Sequence, residues 1–210
     1  MGQSRTTSKG RSSQRARRVF DKAYYDRYYG DHDARVTDVE ATGRLGRFVC
    51  AYLDQLEVDV RRVLDVGCGT GLWQDVIAEY FSDADYTGIE VSEYLCRTRG
   101  WKQASVVDYR SRAPFDLVIC QGVLQYLGES EARKAIANLA KLTGSALFLE
   151  ALTAEDWDHN CDQSVTDSQC HLREAEWYRT RLRRHFTNCG GGLYLSHGFE
   201  HYAYALDRLD

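Results

Sequence analysis

No apolar run in the chain approaches the roughly 18 residues that cross a bilayer, and no signal-peptide pattern opens it. Neither a membrane span nor an export leader is expected, and the expected compartment is the cytoplasm. Proline is almost absent. Pro114 stands alone, just before an expected strand, where its missing N–H costs little. Cysteine is present seven times, but the number is odd and no C-x-x-C pair occurs. A disulfide framework is not expected without an export signal. Cys161, Cys170, His159 and His171 share one segment but lack the knuckle spacing of zinc sites, so no metal is expected. Acidic residues are missing from residues 1–18, "MGQSRTTSKGRSSQRARR", which carry six Lys or Arg and no large apolar residue beyond Met1. Such a segment cannot bury enough surface to order itself, so it reads as a disordered basic tail ahead of one domain over 19–210. The whole chain carries −4, so the remainder carries −10. An acidic body argues against a domain that grips a phosphate backbone along its length.

Hydrophobic residues make up 43% of the 210, enough for one domain with a substantial core. Four tyrosines fall within six residues in "FDKAYYDRYYGDHD", read as a short helix or turn. A helix is expected from about 38 to 56, with Leu45, Val49, Tyr52, Leu53 and Leu56 on one face. An alternation follows. "RRVLDVG", "ADYTGIEV", "QASVVDY", "FDLVICQG" and "SALFLEAL" read as strands. Between them, "GLWQDVIAEYF" places Leu72, Val76, Ile77 and Tyr80 on one helical face. "SEYLCRTRG" is a short helix from the N-cap Ser92 to the stop Gly100. "ESEARKAIANLAKLTG" is a helix ended by Gly144. Strands alternating with helices indicate a mostly parallel sheet with helices on both faces. "AEDWDHNCDQSVTDSQCH" then reads as a long polar loop, followed by a helix around 173–184. "GGGLYLSHGFEHYAYALDRL" reads as an antiparallel hairpin closing the sheet.

The first strand runs into "VLDVGCGTG", where three glycines alternate after an apolar run that contains Asp65. Open α/β sheets bind ligands beyond the carboxyl ends of their strands, and glycine there admits close backbone approach. A dinucleotide fingerprint needs its third glycine where Leu72 stands, and a phosphate loop needs a lysine that this turn lacks. A carboxylate at Asp65 suits a ligand bearing an ammonium rather than a pyrophosphate. Glu90 and Asp108 close the next two strands, where they are placed to accept from ribose hydroxyls and from an exocyclic adenine amine. S-adenosylmethionine has all of those parts.

"LDVGCGTG", "GIEVS", "SVVD" and "DLVICQGVLQYL" resemble, in order and spacing, the motifs of class I S-adenosylmethionine-dependent methyltransferases. "DWDHNCD", "HLREAEWYR" and "GGGLYL" are similar to segments of uncharacterised bacterial methyltransferase-like proteins. The resemblance implies a Rossmann-like three-layer α/β sandwich, its seven-stranded, mostly parallel sheet carrying an antiparallel C-terminal strand. It implies that Asp65, Gly67, Cys68, Gly69 and Gly71 line the methionine arm, with Glu90 on the ribose and Val91 beside adenine. Asp108 and Tyr109 would meet the adenine amine, and Gln121, Leu124 and Gln125 would wall the cofactor. By the same resemblance the N-terminal segment is a lid, with Arg27 meeting the cofactor carboxylate and Tyr25 and Tyr28 facing the acceptor.

The sulfonium already activates its methyl group, so the protein must align a nucleophile and exclude water. His171 is the expected base, because imidazole titrates near neutrality. Glu150, at the end of the fifth strand, is the expected orienting acid, and Trp177 and Tyr178 the expected apolar wall of the acceptor site. No Asn/Asp-Pro-Pro-Tyr segment follows the fourth strand; "CQGVLQ" stands there instead. The expected reaction is methyl transfer to a small molecule on oxygen, nitrogen or sulfur, with S-adenosylhomocysteine as product. The alternatives are an RNA or protein methyltransferase docking through the basic tail, and a non-catalytic cofactor-binding partner.

Overall fold

The computed structural model describes residues 20–29, 39–200 and 203–209. The basic segment 1–18 lies outside the described residues. The elements run α1 (Lys22–Tyr29), α2 (Val39–Gln55), β1 (Arg62–Val66), α3 (Leu72–Tyr80), β2 (Asp85–Glu90), α4 (Glu93–Arg99) and β3 (Lys102–Gln103). They continue as β4 (Phe115–Gln121), α5 (Glu129–Leu142), β5 (Thr143–Glu150), α6 (Ala154–His159), α7 (Ala175–Leu182), β6 (Phe186–Asn188) and β7 (Leu193–Ser196). A 3₁₀ turn, Leu124–Tyr126, follows β4.

Seven strands form one sheet in the order β3-β2-β1-β4-β5-β7-β6. β7 runs antiparallel to both of its neighbours and the other pairings are parallel. The near-continuous apolar runs of β1, β4 and β5 are explained by burial on both faces. Alternate residues go to opposite layers. Val63, Leu117, Ile119 and Phe148 pack with α2 and α3 residues such as Val49, Leu53 and Ile77. Leu64, Val118, Leu147 and Leu149 pack with Ile136 and Leu139 of α5 and with Tyr178 and Leu182 of α7. The result is a three-layer Rossmann-like sandwich with a core on each face of the sheet. Sheet order reverses between β1 and β4, so the ligand crevice falls above the carboxyl ends of those two strands.

Several elements differ from the sequence expectation. "QASVVDY" contributes only Gln103 to the sheet, which forms the two-residue β3 with Lys102; beyond it the backbone N–H groups of Asp108 and Tyr109 both donate to the Ser105 carbonyl, at 3.0 and 2.8 Å, and form a turn. This strand lies at the sheet edge with one partner, and Ser105 Oγ draws the Val107 N–H at 3.2 Å, so a local turn outcompetes the ladder. Helix α3 buries Trp73, Val76 and Ile77, while Tyr80 is exposed. The face is rotated by one residue because Trp73 reaches Phe148 across the sheet, ring centroids 5.1 Å apart. The long polar loop contains α6, set by a capping box in which Thr153 Oγ1 accepts from Asp156 N at 3.1 Å. Helix α5 passes directly into β5 at Thr143, whose hydroxyl donates to Leu139 O at 2.8 Å, so Gly144 lies inside the strand. The hairpin falls one element early, between β6 and β7. Gly190, Gly191 and Gly192, with φ of 80°, 57° and 79°, make its turn and not its first strand.

Candidate active site

The carboxyl ends of β1, β2, β4 and β5 open into one cleft of about 1410 Å³. That exceeds the roughly 300–1,000 Å³ of a site for one drug-sized ligand. After β1 the chain turns sharply. Gly67, at φ 65°, brings its backbone so close to Val123 that a Cβ would stand 2.5 Å from Cγ2. The N–H groups of Gly67 and Cys68 are tied to Ile89 O at 2.8 and 3.2 Å, which fixes the turn against β2. Trp101 locks it from behind: its indole N–H donates to Gly69 O at 2.9 Å, and its ring lies where a Gly71 side chain would stand.

Three carboxylates meet this turn. Asp65 is 2% exposed and accepts from the Tyr86 hydroxyl at 2.5 Å. Burial is the main cause that pushes its carboxyl up to about 7, and the charge of Glu90 adds to it. Glu90 is 4% exposed; its Oε1 accepts from Val91 N and Ser92 N at 2.7 and 2.8 Å, and its Oε2 from Gly69 N at 3.1 Å. These bonds hold the carboxylate rigid at the strand end. Asp108 is exposed to the cleft from the turn after β3, together with Ser105 and Val106.

A second polar group sits across the sheet, at the ends of β4 and β5. Gln121 and Glu150 are direct register partners there. The Trp73 indole N–H donates to Gln121 Oε1 at 2.8 Å, which points the Gln121 amide nitrogen toward Glu150 Oε1, at a longer 3.4 Å. Glu150 opens to the cleft but stands between its walls, and this desolvation raises its carboxyl above the ordinary range, with the charge of Asp156 adding to the effect. Gln125 is 7% exposed and lines the cleft, its amide oxygen buried without a partner. The mouth is aromatic. Phe20 meets the edges of Tyr24 and Tyr126 at 5.0 and 5.3 Å, and the Tyr24 and Tyr126 hydroxyls are 3.1 Å apart. Ser92 Oγ donates to Phe20 O at 2.5 Å and fastens α1 over the cleft.

Residues 64–145 match the family described as a methyltransferase domain. They contain the glycine turn, Glu90, Asp108 and Gln121. Over these residues the chain is similar to a methyltransferase domain. A ubiquinone biosynthesis O-methyltransferase of Bordetella avium is 31% identical over 102 residues, 42% of each chain. Nodulation protein S of Rhizobium tropici is 28% identical over 115 residues, 48% of each. The chain thus spans under half the length of the curated relatives it matches. Among solved structures, DesVI of Streptomyces venezuelae superposes with a TM-score of 0.59 at 15% identity, over 82% of this chain and 97% of that one. NodS of Bradyrhizobium japonicum, solved with S-adenosylhomocysteine, gives 0.52 at 18% identity, over 79% and 91%. These superpositions show the fold.

Asp65, Gly67, Cys68, Gly69, Glu90, Val91, Asp108, Gln121, Gln125, Glu150 and Tyr25 all line the cleft. Other expected residues stand elsewhere. Gly71 caps α3 beneath Trp101. Leu124 is fully buried in the α5-side core, and Tyr109 packs there with Lys102 over its ring at 4.8 Å. Arg27 and Tyr28 stack on each other at 5.2 Å and line a separate hollow beside 163–166, because α1 turns Tyr24, Tyr25 and Tyr29 to the cleft instead. His171 is not on the cleft wall. Its backbone N–H donates to Gln125 O at 2.7 Å, and its neighbour Cys170 reaches the cleft in its place. Trp177 and Tyr178 lie behind α5: Arg181 covers Trp177 at 3.8 Å, and the Tyr178 hydroxyl accepts from the buried Arg173 at 3.4 Å. Sequence reasoning did not single out Trp73, Tyr86, Trp101, Tyr126 or Asp156. Only Trp73 carried a signal, since it follows the glycine turn directly. Among the described residues no group of three or more His, Cys, Asp or Glu is arranged to hold a metal ion, and no helix is long and apolar enough to cross a membrane.

Proposed function

We propose that the cleft binds S-adenosylmethionine and passes its methyl group to a small-molecule acceptor, giving S-adenosylhomocysteine. The observation that carries this reading is the set of carboxylates that line the cleft beside the glycine turn. Asp65, Glu90 and Asp108 surround a backbone bend that admits no Cβ, and a ligand rich in donors fits them. Asp65 suits the ammonium of the methionine arm, Glu90 the ribose hydroxyls and Asp108 the adenine amine. When bound, the sulfonium supplies an electrophilic methyl group and leaves as a neutral thioether. The chain's own task is to orient and to exclude water: α1 and the Phe20, Tyr24 and Tyr126 rings close one side, and Glu150 is the carboxylate placed toward the acceptor. The volume left beside a nucleoside, and the names of the methyltransferases it resembles, support a small acceptor. The seven free thiols fit the reducing cytoplasm, where we place the protein.

Titration calorimetry with S-adenosylhomocysteine tests the reading. Binding is expected, with no heat from a nicotinamide dinucleotide; the reverse pattern overturns it. The six basic residues of 1–18 favour a second reading, docking on RNA. RNA affinity that falls steeply with salt and vanishes on deletion of 1–18 would establish it.

A further inference from the structure

Among the described residues nine carboxylates and two basic side chains line the cleft, and one of the basic pair, Lys22, is turned to Asp26 at 2.6 Å. The cofactor reading uses three of the acids, at the ends of β1 and β2 and in the turn after β3. Glu150 stands three strands from Glu90, about 14 Å across the sheet at the usual strand spacing. It therefore belongs to the acceptor half, with Asp156 of α6 beside it. Asp156 accepts from Thr153 Oγ1 and Asn160 Nδ2 at 2.6 and 2.9 Å, bonds that keep it ionised, so it presents a fixed negative charge. After the end of β4 stands Gln125, whose buried amide oxygen has no hydrogen-bond partner among the described residues. The Gly122 N–H donates to the Glu150 backbone carbonyl at 2.9 Å, which ties the ends of β4 and β5 together, and Gln125 and Glu150 line the same cleft. Tyr24 and Tyr126 line the same cleft, and aromatic lining suits a cation.

Resting on the methyltransferase reading, we propose that the acceptor is an amine, held as its ammonium ion between Glu150, Gln125 and the tyrosine rings. An alcohol or phenol must lose charge-neutrality to become a strong nucleophile, and surrounding carboxylates oppose an oxyanion. An amine needs the opposite. The ammonium gives one proton to the Glu150 carboxylate and becomes a neutral amine. Its nitrogen lone pair then forms the N–C bond as the S–C bond breaks, with that bonding pair staying on sulfur. The product is a methylammonium, and the positive charge that leaves sulfur appears on nitrogen, where Asp156 offsets it. The proton on Glu150 passes to solvent. Gln121, clamped by Trp73, is a positioning residue that fixes the Glu150 carboxyl.

The test uses the full chain saturated with S-adenosylhomocysteine, whose binding is measured first. Benzylamine and glucosamine are compared with benzyl alcohol and glucose, and with catechol as the phenol. The amines are expected to raise the melting temperature more than the matched hydroxyl compounds. E150Q is expected to bind S-adenosylhomocysteine as the parent does, which also shows that it folds, and to lose the amine preference. With isotope-labelled S-adenosylmethionine the label is expected on nitrogen, at a rate roughly 100-fold lower in E150Q. Amines that bind no better than hydroxyl compounds, label on oxygen, or an unchanged preference in E150Q each overturn this proposal alone. Failure of S-adenosylhomocysteine to bind overturns the methyltransferase reading and this proposal with it.

Discussion

Burial holds the Asp65 carboxyl at about 7, far above its value in an unfolded chain, and this has two consequences of opposite sign. In the free protein the folded state keeps a proton that the unfolded chain gives up near 4. The stability from that proton is full below about pH 4 and is lost as pH rises through about 7, up to about 4 kcal/mol in all. A ligand ammonium reverses the balance, because it stabilises the ionised carboxylate. Affinity for S-adenosylhomocysteine is therefore expected to rise between pH 6 and 8, with proton release on binding, measured by calorimetry in buffers of different ionisation enthalpy. Asp65→Asn removes the buried charge and keeps a partner for Tyr86. It is expected to melt higher than the parent at pH 8 and to bind S-adenosylhomocysteine about 100-fold more weakly, the loss of one charge-assisted bond. Asp65 and Glu90 were legible in the sequence because they stand at the ends of two neighbouring strands, one of which runs into the glycine turn; Asp108 was legible as an acid, though it stands in the turn beyond β3 and not on a strand. Tyr86 was not, since nothing in a lone tyrosine says which carboxylate its hydroxyl meets.

Helix α6 shows what an element decides. It is only six residues long, below the length at which a helix holds by itself, and the Thr153–Asp156 capping box is what starts it. The sequence read as polar loop because the segment has no apolar stripe. Thr153→Ala is expected to cost about 1 kcal/mol in chemical denaturation. It should also free the Asp156 carboxylate from its fixed place beside Glu150, weakening any amine preference. Helix α1 makes the converse point. Its tyrosines were legible as a cluster, yet Arg27 and Tyr28 turn away from the cleft and Tyr24 and Tyr25 turn toward it. At i, i+1, i+4 and i+5 the four tyrosines share one broad face, about 140° wide, so periodicity marks that face but not which part of it meets the cleft.

At the scale of the whole molecule, two cores share one sheet, and β5 contributes to both: Phe148 to one face, Leu147 and Leu149 to the other. Leu147→Ala is expected to cost 2–5 kcal/mol, seen as a lowered melting temperature, because the fully buried site between β5 and α5 cannot collapse without moving the sheet. S-adenosylhomocysteine at about 100 times its dissociation constant should restore about 2.7 kcal/mol of that loss. Full restoration is not expected, since the ligand touches the strand ends and not the core.

The sequence by itself determined the three-layer alternation, the position of the glycine turn and the acids that close the neighbouring strands. Those features are local: a period of apolar residues, a turn that excludes side chains, a carboxylate at a strand terminus. Tertiary structure alone decided which distant groups meet. It set Trp73 on Gln121 and Gln121 against Glu150, raised α6 into the cleft wall and left His171 outside it. Each depends on the register between strands and on how helices roll onto the sheet, and both are settled by packing summed over two cores.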